Sequence, residues 1–165
     1  MWKRARRWGG IAGIGAVGLL IAMQAVPYGH SHSNPPDRQE PTWDSEQTRA
    51  MVVDTCYDCH SNRTAWPWYS YLAPVSWLVQ RDVDGGREKL NFSEWDRARQ
   101  ETDEIVEKVQ EGEMPPSYYG WLHSKARLSS AERQALVRGL EATFGREQAE
   151  GDEGEDHEEE EDALP

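Results

Sequence analysis

The chain has 165 residues and a formal net charge of −12 at neutral pH, enough for one modest domain with appendages. The charge is unevenly placed: Lys3, Arg4, Arg6 and Arg7 give +4, residues 146–165 give −10, and residues 8–145 carry only −6. No basic surface remains outside the N-terminus to track a phosphate backbone, which excludes nucleic acid as an expected partner.

Residues 1–8 are basic, and Gly9 to about Tyr28 is apolar with one interruption, Gln24. This is close to the ~20 residues of a bilayer-spanning helix. Small residues at both cleavage positions are missing: a cut after Ala25 puts Met23 at −3, and a cut after Gly29 puts Pro27 there. An uncleaved signal anchor over 1–28 is therefore expected, with cations in the cytoplasm and the remainder exported. The alternative is secretion to the periplasm after cleavage. Residues 29–41 (GHSHSNPPDRQEP) read as a linker stiffened by Pro35, Pro36 and Pro41, with His30 and His32 solvated.

The folded domain is expected over 42–145. Asp44, with Gln47 three residues on, reads as a capping box for a first helix. Met51, Val52 and Thr55 carry that helix into Cys56-Tyr57-Asp58-Cys59-His60. This is C-x-x-C-H, the attachment motif of a c-type haem. It holds the chain's only two cysteines. On a helix, residues i and i+3 share a face, so both sulfurs can reach one porphyrin edge and form thioethers with its vinyl groups. His60 follows at once as the proximal iron ligand. A plain disulfide, a thioredoxin-like pair or a zinc site completed by His123 and a carboxylate are the competing readings.

Asn62 to Pro74 is a turn-rich aromatic stretch. Val75–Asp82 reads as a short helix ended by Gly85-Gly86. Ser93 with Asp96 caps a helix to about Glu111, striped by Ile105, Val106 and Val109 and stopped at Gly112. Ser129 with Glu132 opens the last helix, with Leu136, Val137, Leu140 and Phe144 at helical spacing and Gly145 as the stop. No segment reads as a strand, so the class is all-α with long loops. Residues 146–165 are almost wholly Glu, Asp and Gly and read as a disordered acidic tail, with a cationic docking partner as one role for it.

The second iron position needs a ligand far along the chain. Met114 follows the Gly112 stop and precedes Pro115-Pro116, which present its thioether rigidly. His123 is the rival, and an open distal site is the third arrangement. Arg63, three residues after His60, is a candidate partner for a haem propionate. Trp66, Trp68, Tyr69, Tyr71 and Trp77, with Trp95, Trp121, Tyr118 and Tyr119, supply aromatic surface for packing on a porphyrin.

Taken in order, C-Y-D-C-H-S-N-R-T-A-W-P-W-Y-S, L-N-F-S-E-W and G-E-M-P-P resemble the bacterial haem-binding domain family of small c-type cytochromes over about Thr42 to Phe144. The resemblance implies a small cytochrome c-like helical domain around one covalent haem c, with Cys56 and Cys59 as attachment sites, His60 as proximal ligand and Met114 as distal ligand. It also implies export across the inner membrane and an electron-transfer role. The expected function is a single-pass, membrane-tethered monohaem cytochrome facing the periplasm or cell exterior. It would exchange electrons with inner-membrane or periplasmic redox proteins and would not be an enzyme. The alternative is a haem enzyme or gas sensor with an open or displaceable distal site.

Overall fold

The computed structural model describes residues 2–97, 102 and 104–161. Among these residues the fold is all-helical, and a single isolated parallel bridge, Gln39 to Glu94, is the nearest thing to a strand. The helices are α1 (Trp2–Gln24), α2 (Glu46–Thr55), α3 (Tyr57–His60), α4 (Val75–Lys89), α5 (Ile105–Gln110), α6 (Tyr119–Leu122) and α7 (Ser130–Glu161).

The transmembrane helix expected over 1–28 is not found. No helix among the described residues is long and apolar enough to cross a membrane. The first turns of α1 carry four cations, and the apolar run Gly9–Met23 rises only about 22 Å at ~1.5 Å per residue, short of a ~30 Å hydrocarbon core. Gln24 does more than interrupt the run. Its amide nitrogen donates to the Ala73 carbonyl at 3.0 Å, and its oxygen accepts from the Ala73 N–H at 3.1 Å. The end of α1 is thereby fastened to the segment before α4.

Residues 29–41 lie against the domain. Asn34 donates to the Thr64 carbonyl at 2.9 Å, Asn62 donates to the Pro36 carbonyl at 3.0 Å, and the backbone N–H groups of Arg38 and Gln39 both donate to the Ser93 carbonyl. His32 is not solvated: its ring contacts the Ser70 carbonyl at 2.9 Å and packs on Trp66 and Tyr71.

α2 begins one residue later than the Asp44 reading. Ser45 is the cap, accepting from the Thr48 N–H at 3.1 Å, while the Asp44 N–H donates to Thr143 on α7. α4 runs through Gly85-Gly86 to Lys89 rather than stopping there. Ser93 caps no helix; its hydroxyl accepts from the Asn62 N–H. Part of the helix expected from Ser93 to Glu111 falls on residues 98–101 and 103, outside the described residues. The Ser129–Glu132 box forms as expected, with the carboxylate accepting from the Ser129 N–H at 2.8 Å. α7 then continues past Gly145, through residues read as a disordered tail.

The core joins α2, α5 and α7. Val52, Ile105, Val109, Leu136, Leu140 and Phe144 are buried together with Tyr57, Leu90 and Phe92. The apolar stripes read from α5 and α7 are therefore the packed faces. α2 and α7 meet at Gly139, where an added Cβ would lie 2.1 Å from Thr48 Oγ1 and 2.7 Å from its Cγ2. Gly139→Ala is expected to destabilise the domain by about 1–3 kcal/mol through overpacking, read as a lower denaturation midpoint. Because the clash is mainly with the outer atoms of Thr48, adding Thr48→Ala should recover part of that loss. Absence of any recovery would contradict this crossing.

Candidate functional site

Cys56 separates α2 from α3, serving as C-cap of one and N-cap of the other. The short α3 then presents Cys59 and His60 from one turn. All three side chains line a cavity of about 490 Å³, within the range of small-molecule and cofactor sites. Its apolar walls come from Leu90, Phe92, Ile105, Val109 and Leu140. Met114, Pro115 and Pro116 line it from the chain between α5 and α6. The structure thus brings Cys56, Cys59, His60 and Met114, spread over 59 positions of sequence, around one apolar space.

The imidazole of His60 is oriented by the chain. Nδ1 lies 3.1 Å from the Leu90 carbonyl oxygen. A carbonyl can only accept, so Nδ1 carries the proton and Nε2 keeps its lone pair, the arrangement that orients a metal-binding histidine. Burial holds the ring's pKa below its ordinary value, favouring the neutral form. Phe92 N–H donates to the His60 carbonyl at 2.8 Å, which ties the Leu90–Phe92 segment to the motif twice. α4 approaches α3 at Gly86, where a Cβ would lie 2.4 Å from the Cys59 carbonyl oxygen. The glycine read as a helix stop is instead the condition for close packing.

Cys56 and Cys59 are free thiols. Burial pushes the Cys56 thiol up to about 11, and burial with the carboxylates of Asp82 and Asp58 pushes Cys59 up to about 12. Both are S–H groups at neutral pH. Among the described residues no group of three or more His, Cys, Asp and Glu could hold a metal ion. His123, which the zinc reading needed, has Nδ1 at 3.0 Å from the Tyr119 carbonyl and Nε2 at 3.2 Å from the Tyr69 hydroxyl, and stacks on Tyr119. It lies outside the cavity lining, so the structure does not bring this rival ligand to the site.

Met114 stands on a braced loop. Its N–H donates to the Lys108 carbonyl at 3.0 Å, Gly112 turns the chain with φ +79°, and Arg133 of α7 donates to the Val109 carbonyl at 2.7 Å. Met114 lines the cavity and remains 37% exposed. A second brace was not read from sequence. Tyr119 donates to Asp58, inside the haem motif, and Tyr118 donates to Asp82 of α4 at 2.8 Å. Lys125 pairs with Asp54 of α2 at 2.7 Å. The segment after Met114 is therefore strapped to the elements that carry the cysteines.

Arg63 is elsewhere. It pairs with Asp37 at 2.6 Å and Glu40 at 3.1 Å and does not line the cavity. The cations that do line it are Arg81, Lys89 and Lys108. Of the aromatic residues expected to pack on a porphyrin, Tyr118 and Tyr119 reach the cavity and the W-P-W-Y stretch, Trp77, Trp95 and Trp121 do not. Arg87 is the unforeseen organiser of that region: it donates to the Ser61 and Ser33 carbonyls, Asn34 and Thr64, at 2.8–3.0 Å.

The residues present fit a haem. Two sulfurs and an oriented imidazole share one side of an apolar space, and a thioether also lines it. No curated protein and no solved structure matches the chain. The haem-binding domain family matches residues 18–142, and the chain belongs to that family.

Proposed function

We propose that this chain is a monohaem c-type cytochrome carrying single electrons. Cys56 and Cys59 would hold the haem by thioether bonds, His60 would bind the iron from the proximal side, and Met114 would bind it from the distal side. The bound group supplies the Fe(III)/Fe(II) couple. The protein contributes the rest: the Leu90 carbonyl fixes the imidazole, apolar walls exclude water, and the Tyr119–Asp58 strap holds the distal loop over the motif. The observation that carries the reading is the convergence of all four residues on one cavity.

Attachment to a membrane through α1 is part of the proposal. Ile14, Val17 and Ile21 of that helix are exposed. Its apolar run is shorter than a bilayer core, which flanking cations and local thinning of the bilayer can accommodate. The haem domain would then face the periplasm or cell exterior and exchange electrons with redox proteins of the inner membrane or periplasm. Tethering raises the effective concentration near such partners. The acidic tail offers a surface for a cationic partner.

Visible spectra of oxidised and reduced protein, with and without CO, test the carrier reading. A six-coordinate His/Met site leaves the reduced spectrum unchanged or slow to respond. Immediate CO binding would favour the haem enzyme or gas sensor, a reading to which the exposure of Met114 lends some support. Met114→Ala is expected to remove the weak charge-transfer band near the red end of the Fe(III) spectrum and to lower the reduction potential. A retained band would move the distal assignment to another residue.

A further inference from the structure

We propose that the surface formed by the W-P-W-Y segment, the outer side of α4 and the short helix α6 lies in the headgroup region of the bilayer that holds α1. This rests on the membrane attachment proposed above, and it concerns residues that haem binding leaves unused.

The surface carries several large exposed apolar side chains. Trp121 and Leu122 on α6 are 79% and 69% exposed, and Trp68 is 76% exposed. Leu72 and Leu78 are exposed as well, as is Tyr28 just beyond α1. Contiguous exposed patches of large apolar side chains mark interaction sites in soluble domains.

These residues come from three stretches of chain that the structure joins. The Gln24–Ala73 amide pair fixes the end of α1 to the residue after Leu72. Gly29 sits so close to Ser76 that a Cβ there would lie 2.8 Å from its carbonyl carbon. Val26, Tyr28, Trp77, Leu78 and Arg81 line one shallow groove. Tyr118, which precedes α6, donates to Asp82 one turn along α4 from Leu78, and His123, which follows α6, meets Tyr69 beside Trp68. The patch is therefore continuous with the exposed apolar side of α1.

Continuity and composition select the occupant. Whatever apolar medium covers Ile14, Val17 and Ile21 ends at Gln24, and the patch begins there. Tryptophan and tyrosine favour the headgroup level, where an apolar ring and a polar N–H or O–H are both satisfied. The apolar run of α1 stops short of a full bilayer crossing, so the chain after it sits at headgroup depth. Tyr118 and Arg81 line the haem cavity as well, so this orientation also holds the cavity mouth beside the membrane plane.

The test is photo-crosslinking of the full-length, haem-loaded protein in vesicles of phosphatidylethanolamine and phosphatidylglycerol. p-Benzoylphenylalanine is placed singly at Trp68, Trp121, Val17 or Glu46, the last exposed at the start of α2, and lipid adducts are read by mass spectrometry. The visible spectrum of each protein confirms that the domain is intact. Adducts at Val17, Trp68 and Trp121, severalfold above Glu46, are expected. Adducts at Val17 with background levels at both Trp68 and Trp121 would overturn the docking surface while leaving the anchor in place. Background levels at all positions would overturn the anchor and the docking surface together. Crosslinks from Trp68 and Trp121 to a second copy of the chain, in place of lipid, would assign the patch to self-association and also overturn the proposal.

Discussion

Replacing both Cys56 and Cys59 with alanine is expected to abolish haem staining after denaturing electrophoresis and to leave a mass equal to the bare polypeptide. The two thiols are the only cysteines in the chain, they are not joined to each other, and both face the same cavity. A disulfide would consume them and leave no sulfur for the haem, so staining of the wild-type chain and its loss in the variant decide between the two. The double variant also separates attachment from affinity. His60, the Leu90 carbonyl that orients it and the apolar walls are all untouched by the substitutions. Colour that survives native electrophoresis but not denaturation would show the pocket holding haem without thioethers. Stain that persists in the denatured double variant, or a wild-type mass without haem, would sink the covalent assignment.

Why the motif was readable and its surroundings were not follows from the range of the forces. C-x-x-C-H is local covalent chemistry, and so its meaning is carried by five adjacent residues. The Ser129–Glu132 box is equally local, closing over three residues with contacts of 2.7–3.3 Å. The stripe on α7 was legible because a helix repeats its buried side every turn. Residues 29–41 had no such repeat. They are held by side-chain and backbone hydrogen bonds to positions 26 to 58 residues away, which polar composition alone does not reveal. That omission explains the misplacement of Arg63: its partners Asp37 and Glu40 both lie in the stretch read as linker. The aromatic run after the motif misled for a similar reason. Trp66 is engaged by His32 and Asn34 from that same stretch, while Tyr118 and Tyr119 reach the cavity from the start of α6, some sixty residues on.

Gly86→Ala is expected to lower both the stability of the domain and the yield of haem-loaded protein, whereas Gly85→Ala, one position earlier, should cost far less stability. A rule that treats Gly-Gly as a helix stop gives the two positions the same role. The structure gives them different ones. Both lie inside α4, but a Cβ at Gly85 meets nothing outside its own helix backbone within 4 Å, while at Gly86 it falls 2.4 Å from the Cys59 carbonyl oxygen, 3.0 Å from its carbon and 3.2 Å from its Cβ. Those are mostly backbone atoms, so no side-chain rotation relieves the overlap, and α4 must withdraw from α3. Overpacking of this kind costs about 1–3 kcal/mol, or roughly 4–8 °C of melting temperature per kcal/mol in a domain of this size. The damage extends to the site because α4 leads directly into Leu90, whose carbonyl holds His60 Nδ1 at 3.1 Å. Withdrawing α4 therefore disturbs the sulfur on one side of the motif and the imidazole on the other. Denaturant midpoints of the two variants, measured side by side, check the ordering, and the haem-to-protein absorbance ratio of Gly86→Ala against the wild type checks the effect on the site. Alanine is the better helix former at both positions, so equal loss at the two would mean that the approach of α4 to Cys59 is not what sets Gly86 apart.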